Sequence, residues 1–129
     1  MPKSTPINYL KDFDDLTFLR NRTPKTTDAE AAPAFKTLSD YRDGGLFIGH
    51  FAGKSEWERH RQGDEIVQVI EGSTTLVLLQ DGSEHQFFLR QGQIMVIPQS
   101  TWHRFESLQG VKILTVTPQP TDHSESWPE

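Results

Sequence analysis

The feature that most restricts how this chain can fold is a series of short apolar or alternating runs, each cut off by a turn signal. The runs are Leu46–Phe51, Ser55–His60, Glu65–Ile70, Thr74–Gln80, Gln86–Leu89, Ile94–Ile97, Trp102–Ser107 and Val111–Thr117. Between them stand Ala52-Gly53-Lys54, Gln62-Gly63-Asp64, Glu71-Gly72-Ser73, Asp81-Gly82, Gln91-Gly92, Pro98 to Thr101, and Gln109-Gly110. Runs this short, with no helical period among them, predict an all-β sandwich or barrel. Asp-Gly between two apolar runs predicts a two-residue type I′ hairpin at Asp81-Gly82.

The ends read differently. Ile7 to Phe18 has apolar positions that fit neither period, and is expected as a single helical turn or an edge strand docked on the domain. Arg20 to Pro33 is rich in Thr, Pro, Asp and Ala and reads as an irregular connection, with a short strand expected at Phe35 to Leu38. Pro118 to Glu129 carries three prolines and is expected to be an extended tail. The expected organisation is an extension over residues 1–34 that packs on a barrel, the barrel over 35–118, and a tail over 119–129.

Composition excludes several classes. The chain has 129 residues, enough for one domain, and its eight Phe, three Trp and two Tyr suffice for one core. No apolar run approaches the roughly 18 residues that span a bilayer, so no membrane partner is expected. The N-terminus lacks an apolar segment of the secretory kind. Without cysteine there is no disulfide framework, thiolate nucleophile or Cys-based zinc site, and a cytoplasmic setting is expected. A net charge of −5 argues against nucleic acid as a partner.

The chemistry lies in the stretch Glu56 to Glu65. Side chains alternate along a strand, so Glu58 and His60 share a face. The Gln62-Gly63 turn returns the chain, Glu65 opens the next strand, and a third strand brings His103. Two imidazoles and two carboxylates then converge, a donor set suited to Fe, Mn, Zn, Ni or Co as a divalent ion. Val67, Val69 and Phe105 share the inward parity and are expected to line the pocket. Trp57, Ile66, Ile70 and Trp102 have the outward parity, which predicts burial against the N-terminal segment or a second subunit. His50 is left open between cavity and solvent, and His85 and His123 carry no special weight.

Together these segments resemble the two motifs of the cupin superfamily, over about Ala52 to Ser107. The first motif, G-x5-H-x-H-x3–4-E-x6-G, is matched at His60, at Glu65 and at Gly72. The second, G-x5-P-x-G-x2-H-x3-N, is matched at Gly92, Pro98 and His103. Four positions depart: Glu58 stands for the first histidine, Ala52 for the leading glycine (with Gly53 beside it), Ser100 for the inner glycine and Ser107 for the asparagine. The resemblance implies an antiparallel double-stranded β-helix, or jelly-roll barrel, with His60, Glu65 and His103 as metal ligands. Glu58 is either a fourth ligand or a catalytic general base, unless a neighbouring arginine takes it. Arg59 lies on the opposite face, which leaves Arg61 or Arg104 to reach round. A metal-dependent enzyme acting on a small oxygen-bearing molecule is the expected function, with a non-catalytic ligand-binding module or a vestigial site as the alternatives. Cupins commonly pair sheets, so a homodimer is expected.

Overall fold

The computed structural model describes residues 1–128. Three long strands form the frame: β3 (Gly44–Lys54), β5 (Glu65–Gln80) and β8 (His103–Pro118). β8 lies between the other two, with Thr115 opposite both Phe47 of β3 and Val67 of β5, and both pairings are antiparallel. The remaining strands are β1 (Leu19–Arg22), β2 (Phe35–Tyr41), β4 (Trp57–His60), β6 (Ser83–Arg90), β7 (Ile94–Ile97) and β9 (Thr121–Ser124). β1 runs parallel to β3, and β2 pairs with it antiparallel. β7 pairs with the first part of β5 and β6 with the second. The architecture is the all-β jelly roll expected, and the sheet does not close on itself.

Three expected turns do not turn the chain. Glu65–Ile70 and Thr74–Gln80 are one strand, β5, and the runs on either side of Gln109-Gly110 are both in β8. Ala52-Gly53-Lys54 likewise lies within β3. The cause is bulging: the register of β5 on β8 shifts between Val69 and Glu71 and again between Gly72 and Thr75, and Gly72 has φ +79°. A bulge bends a strand and increases its twist without ending its pairing. Buried positions accordingly change parity along β5, from Glu65, Val67 and Val69 to Thr74, Leu76 and Leu78. Asp81 and Gly82 both have positive φ (54° and 77°) and join Gln80 to Ser83, the I′ hairpin the sequence predicts.

The principal core contains Phe51, Val67, Val69, Leu76, Leu78, Phe105 and Ile113. A second cluster covers the outside. Helix α1 (Tyr9–Asp12), capped by the Asn8 side chain, leads into a 3-10 turn that inserts Phe13 beside Leu38 and Ile48, with Ile70 and Leu114 packed against them. Ile70 is thus covered by the N-terminal segment. Arg20 to Pro33, expected to be irregular, holds β1 and helix α2 (Asp28–Ala31). Thr27 and Glu30 close a reciprocal capping box on α2.

At the other end, β9 pairs antiparallel with β4, with Thr121 opposite His60. Trp127 then meets Trp57 edge to face (centroids 5.9 Å apart), and the Arg104 guanidinium lies 5.1 Å from the Trp57 ring. Trp57, only 6% exposed, is therefore covered within its own chain. Among the described residues no helix is long and apolar enough to cross a membrane.

Candidate metal centre

β3 and β4 follow one another along the same edge of β8, interrupted at Ser55, whose hydroxyl accepts from the Phe105 amide at 2.8 Å. This keeps β4 in register with the start of β8, so that Glu58 lies opposite His103. Arg61 to Asp64 then return the chain to Glu65. The loop before His103 is tied to that turn. Gln99 donates its amide NH to Asp64 Oδ1 (2.7 Å) and its side-chain NH₂ to the Arg61 carbonyl (2.7 Å). The Ser100 NH donates to the His60 carbonyl at 2.9 Å. Ser100, at the motif's inner glycine, has φ +64°. The chain keeps the left-handed turn that glycine adopts freely and meets its steric cost of about 1–2 kcal/mol.

Three side chains converge from three strands. His60 Nε2 lies 3.4 Å from Glu65 Oε2, and His103 Nε2 lies 3.0 Å from Glu65 Oε1. Glu58 Oε2 is 4.0 Å from His60 Nε2, and one ligand atom from each of Glu58, His60 and His103 lies within 4.8 Å of the others. All four expected site residues are thus brought together. His60, Glu65 and His103 are buried and Glu58 is half-buried.

The outward-facing atoms of these side chains are all engaged. His103 Nδ1 donates to the Thr101 carbonyl at 2.9 Å, which leaves Nε2 as the lone-pair nitrogen of the neutral ring. Thr121 Oγ1 donates to Gln119 Oε1 (3.1 Å), so it accepts from His60 Nδ1 (3.0 Å), and His60 has the same tautomer. Thr117 Oγ1 donates to Glu65 Oε2 at 2.6 Å and in turn accepts from Thr115 (2.8 Å). The inward atoms have no such partners. His60 Nε2, Glu65 Oε1 and His103 Nε2 are buried without a hydrogen bond. Three acceptors facing one another repel unless a cation or a proton stands between them.

The protonation energetics reflect this. Burial favours a neutral Glu65, but the two facing imidazoles outweigh it and hold the carboxyl down at about 2. Burial also disfavours a charged His103, yet the adjacent Glu65 carboxylate raises the imidazole above its ordinary value.

Neither arginine expected near Glu58 reaches it. Arg61 is paired with Asp122 (2.8 Å), and Arg104 with Glu84 (3.2 Å) and Glu106. Arg22 of β1 takes their place, with Nη2 3.8 Å from Glu58 Oε1. It enters from a segment expected to be an irregular connection, which is why strand parity within the motifs did not reveal it. Thr121 and Gln119, which support His60, lie in the segment expected to be an extended tail, and Thr117 lies at the end of an expected strand. Of the signals available, only the polar Thr115 and Thr117 at inward positions of an otherwise apolar run pointed to them.

The centre opens into a cavity of about 720 Å³ whose lining includes Arg22, Phe35, Phe47, Ile48, Phe105 and Ile113. Phe105 lines it as expected, whereas Val67 and Val69 are packed in the core behind the site. His123 lies on its rim, with Nδ1 2.7 Å from Glu56. His50 is stacked on Phe18 (4.4 Å between centroids), away from the cavity, and His85 is exposed on the β5–β6 hairpin.

The cupin-domain profile matches residues 49–117, more than half of the chain. The chain belongs to the cupin family. A cupin-2 domain protein from Shewanella frigidimarina is similar in structure, with a TM-score of 0.66 and 19% identity over 88% of this chain and 94% of that one. A protein from Neisseria meningitidis has the same TM-score with 15% identity, over 89% of this chain and 100% of its own. A hydroquinone 1,2-dioxygenase solved with Cd2+ and 4-hydroxybenzonitrile aligns at a TM-score of 0.56 and 18% identity, over 65% of this chain and 63% of that one. At these identities the likeness is one of fold. No protein of curated function matches the sequence of this cupin.

Proposed function

We propose that this cupin holds one divalent metal ion at His60 Nε2, Glu65 Oε1 and His103 Nε2 and uses it to bind and transform a small oxygen-bearing molecule. The observation that carries the proposal is the trio of buried, unpartnered lone-pair atoms, each on a side chain whose other polar atom is fixed by a hydrogen bond. Outer hydrogen bonds of this kind set the tautomer and orientation of metal-ligating residues. Imidazole with carboxylate fits Fe, Mn, Zn, Ni or Co. When bound, such an ion supplies Lewis acidity toward a coordinated oxygen. Glu58 turns Oε2 toward His60 and Oε1 toward Arg22. It serves as a fourth ligand through Oε2 or as a base beside the ion.

The replacement of the first motif histidine by Glu58 favours a second reading, in which the centre binds its small molecule without turning it over. Elemental analysis of the purified protein and of His60→Ala and His103→Ala tests the metal. Near one equivalent in the wild type and none in the variants is expected; full metal content in either variant overturns the proposal. Oxygen consumption with diols, diketones and thiols then separates enzyme from binding module. A cytoplasmic setting suits a cysteine-free chain. For the homodimer, with Trp57 and Ile70 covered within the chain, exposed Ile94 and Val96 of β7 take over as the contact, and light scattering checks it.

A further inference from the structure

Arg22 is the most buried arginine side chain among those that form ion pairs, with 13% of it exposed, and its charge is the least matched. Its position is built into the fold. β1 lies parallel to β3 with Arg22 opposite Gly53, where φ is +110° and a Cβ would collide with the Arg22 carbonyl oxygen. The guanidinium is held over the rings of Phe51 (4.5 Å) and Phe35 (5.1 Å). Yet its one ion-pair contact, Glu58 at 3.8 Å, is too long for a hydrogen bond. Among the described residues no hydrogen bond from the guanidinium is found. The other ion-paired arginines are satisfied: Arg59 donates to Asp122 at 3.0 Å, and Arg61 and Arg104 also donate to carboxylates. The guanidinium lines the cavity with no hydrogen-bond partner among the described residues, and its planar fork fits a carboxylate with two parallel bonds.

Charge and surface point the same way. With a divalent ion in place, Glu58 and Glu65 (two negative charges) balance the ion (two positive), the tautomers leave His60 and His103 neutral, and Arg22 leaves the inner cavity at +1. Nearer the rim, Lys36 pairs with Asp12 at 2.9 Å, and Glu56 lies 2.7 Å from His123 Nδ1. Asp28 lies at the rim. Beyond Arg22 the walls include Phe35, Phe47, Ile48, Phe105 and Ile113, which offer apolar surface to the rest of a ligand.

We propose that the cavity takes a small monocarboxylate with an apolar body, its carboxylate gripped by the Arg22 guanidinium beside the ion. The proposal rests on the metal centre above for its charge count and names the substrate class for that site. Calorimetric titration tests it on zinc-loaded and on EDTA-treated protein, with three acid and amide pairs as probes: benzoate and benzamide, phenylacetate and phenylacetamide, hexanoate and hexanamide. At least one acid is expected to bind the zinc-loaded wild type more than tenfold tighter than its amide. Arg22→Gln should abolish that preference while keeping its zinc, and Arg22→Lys, which retains the charge without the fork, should fall between. Circular dichroism establishes that each variant is folded. Saturable binding of none of the acids, or acid binding by Arg22→Gln as tight as by the wild type, overturns the proposal. Zinc content is read separately. A wild type that retains no zinc refutes the metal centre, and the acid preference of the metal-free protein, with its dependence on Arg22, then decides the carboxylate site alone.

Discussion

Replacing Thr117 by valine removes one hydroxyl and leaves the shape of the side chain nearly unchanged. That hydroxyl donates to Glu65 Oε2 at 2.6 Å in a buried setting and accepts from Thr115. A hydrogen bond to a charged group contributes about 1.5–3 kcal/mol, and a buried carboxylate oxygen left without its donor loses that amount. For a domain of this size the melting temperature moves by roughly 3–5 °C per kcal/mol, so the metal-free variant should melt about 5–15 °C lower. Glu65 also loses the contact that holds its carboxylate between the two imidazoles, with Oε1 toward His103 and Oε2 toward His60. Loss of such an outer hydrogen bond lowers metal affinity by about 10–100-fold. The assay is competition for zinc against a chromogenic chelator, with melting followed in EDTA. Thr115→Val is the control: it removes a neutral hydrogen bond of about 0.5–1.5 kcal/mol and should leave zinc affinity close to wild type. Zinc affinity within twofold of wild type in Thr117→Val would show that Glu65 does not depend on this donor, and the account of the site would fail there.

The pH dependence should differ in sign with and without metal. Glu65 is held below the ordinary carboxyl value, so its contribution is present above about 4.5 and is lost as pH falls toward about 2. His103 is raised, so its contribution is full below about 6.5 and is lost as pH rises through its folded value. Zinc needs the neutral imidazole, so the melting-temperature gain from zinc should grow over the range in which the metal-free protein weakens; a gain that is flat from pH 6 to 8.5 contradicts this. Ser100→Gly relieves a left-handed serine and should stabilise the protein by about 1 kcal/mol, read as a higher urea midpoint with unchanged slope. Gly53→Ala should displace β1 and Arg22, weakening benzoate binding while zinc content is kept; unaltered benzoate binding counts against the seating of Arg22.

Much of the centre was legible because it is local. His60 and Glu65 flank one turn, Glu58 shares the parity of His60, and His103 follows Pro98 at motif spacing, so short-range rules place all four. The hairpin at Asp81-Gly82 was legible for the same reason. What escaped depends on contacts between distant segments. Arg22 reaches Glu58 only because β1 docks parallel on β3, and no periodic signal marks a four-residue strand. Thr117 and Thr121 serve Glu65 and His60 across more than fifty residues of sequence. The glycines at 53, 72 and 110 were read as turns because a turn and a bulge both ask for positive φ, and only the pairing partner on either side distinguishes them. Trp57 and Ile70 do face outward from the strands, but the chain's own ends cover them.

The most direct measurement is the X-ray absorption fine structure of the zinc-loaded protein. A first shell of nitrogen and oxygen donors at about 2.0–2.2 Å is expected. Multiple scattering should correspond to two imidazoles, falling to one in His60→Ala or His103→Ala if any zinc is retained. A wild-type shell without imidazole scattering, or a spectrum that neither substitution changes, would contradict it.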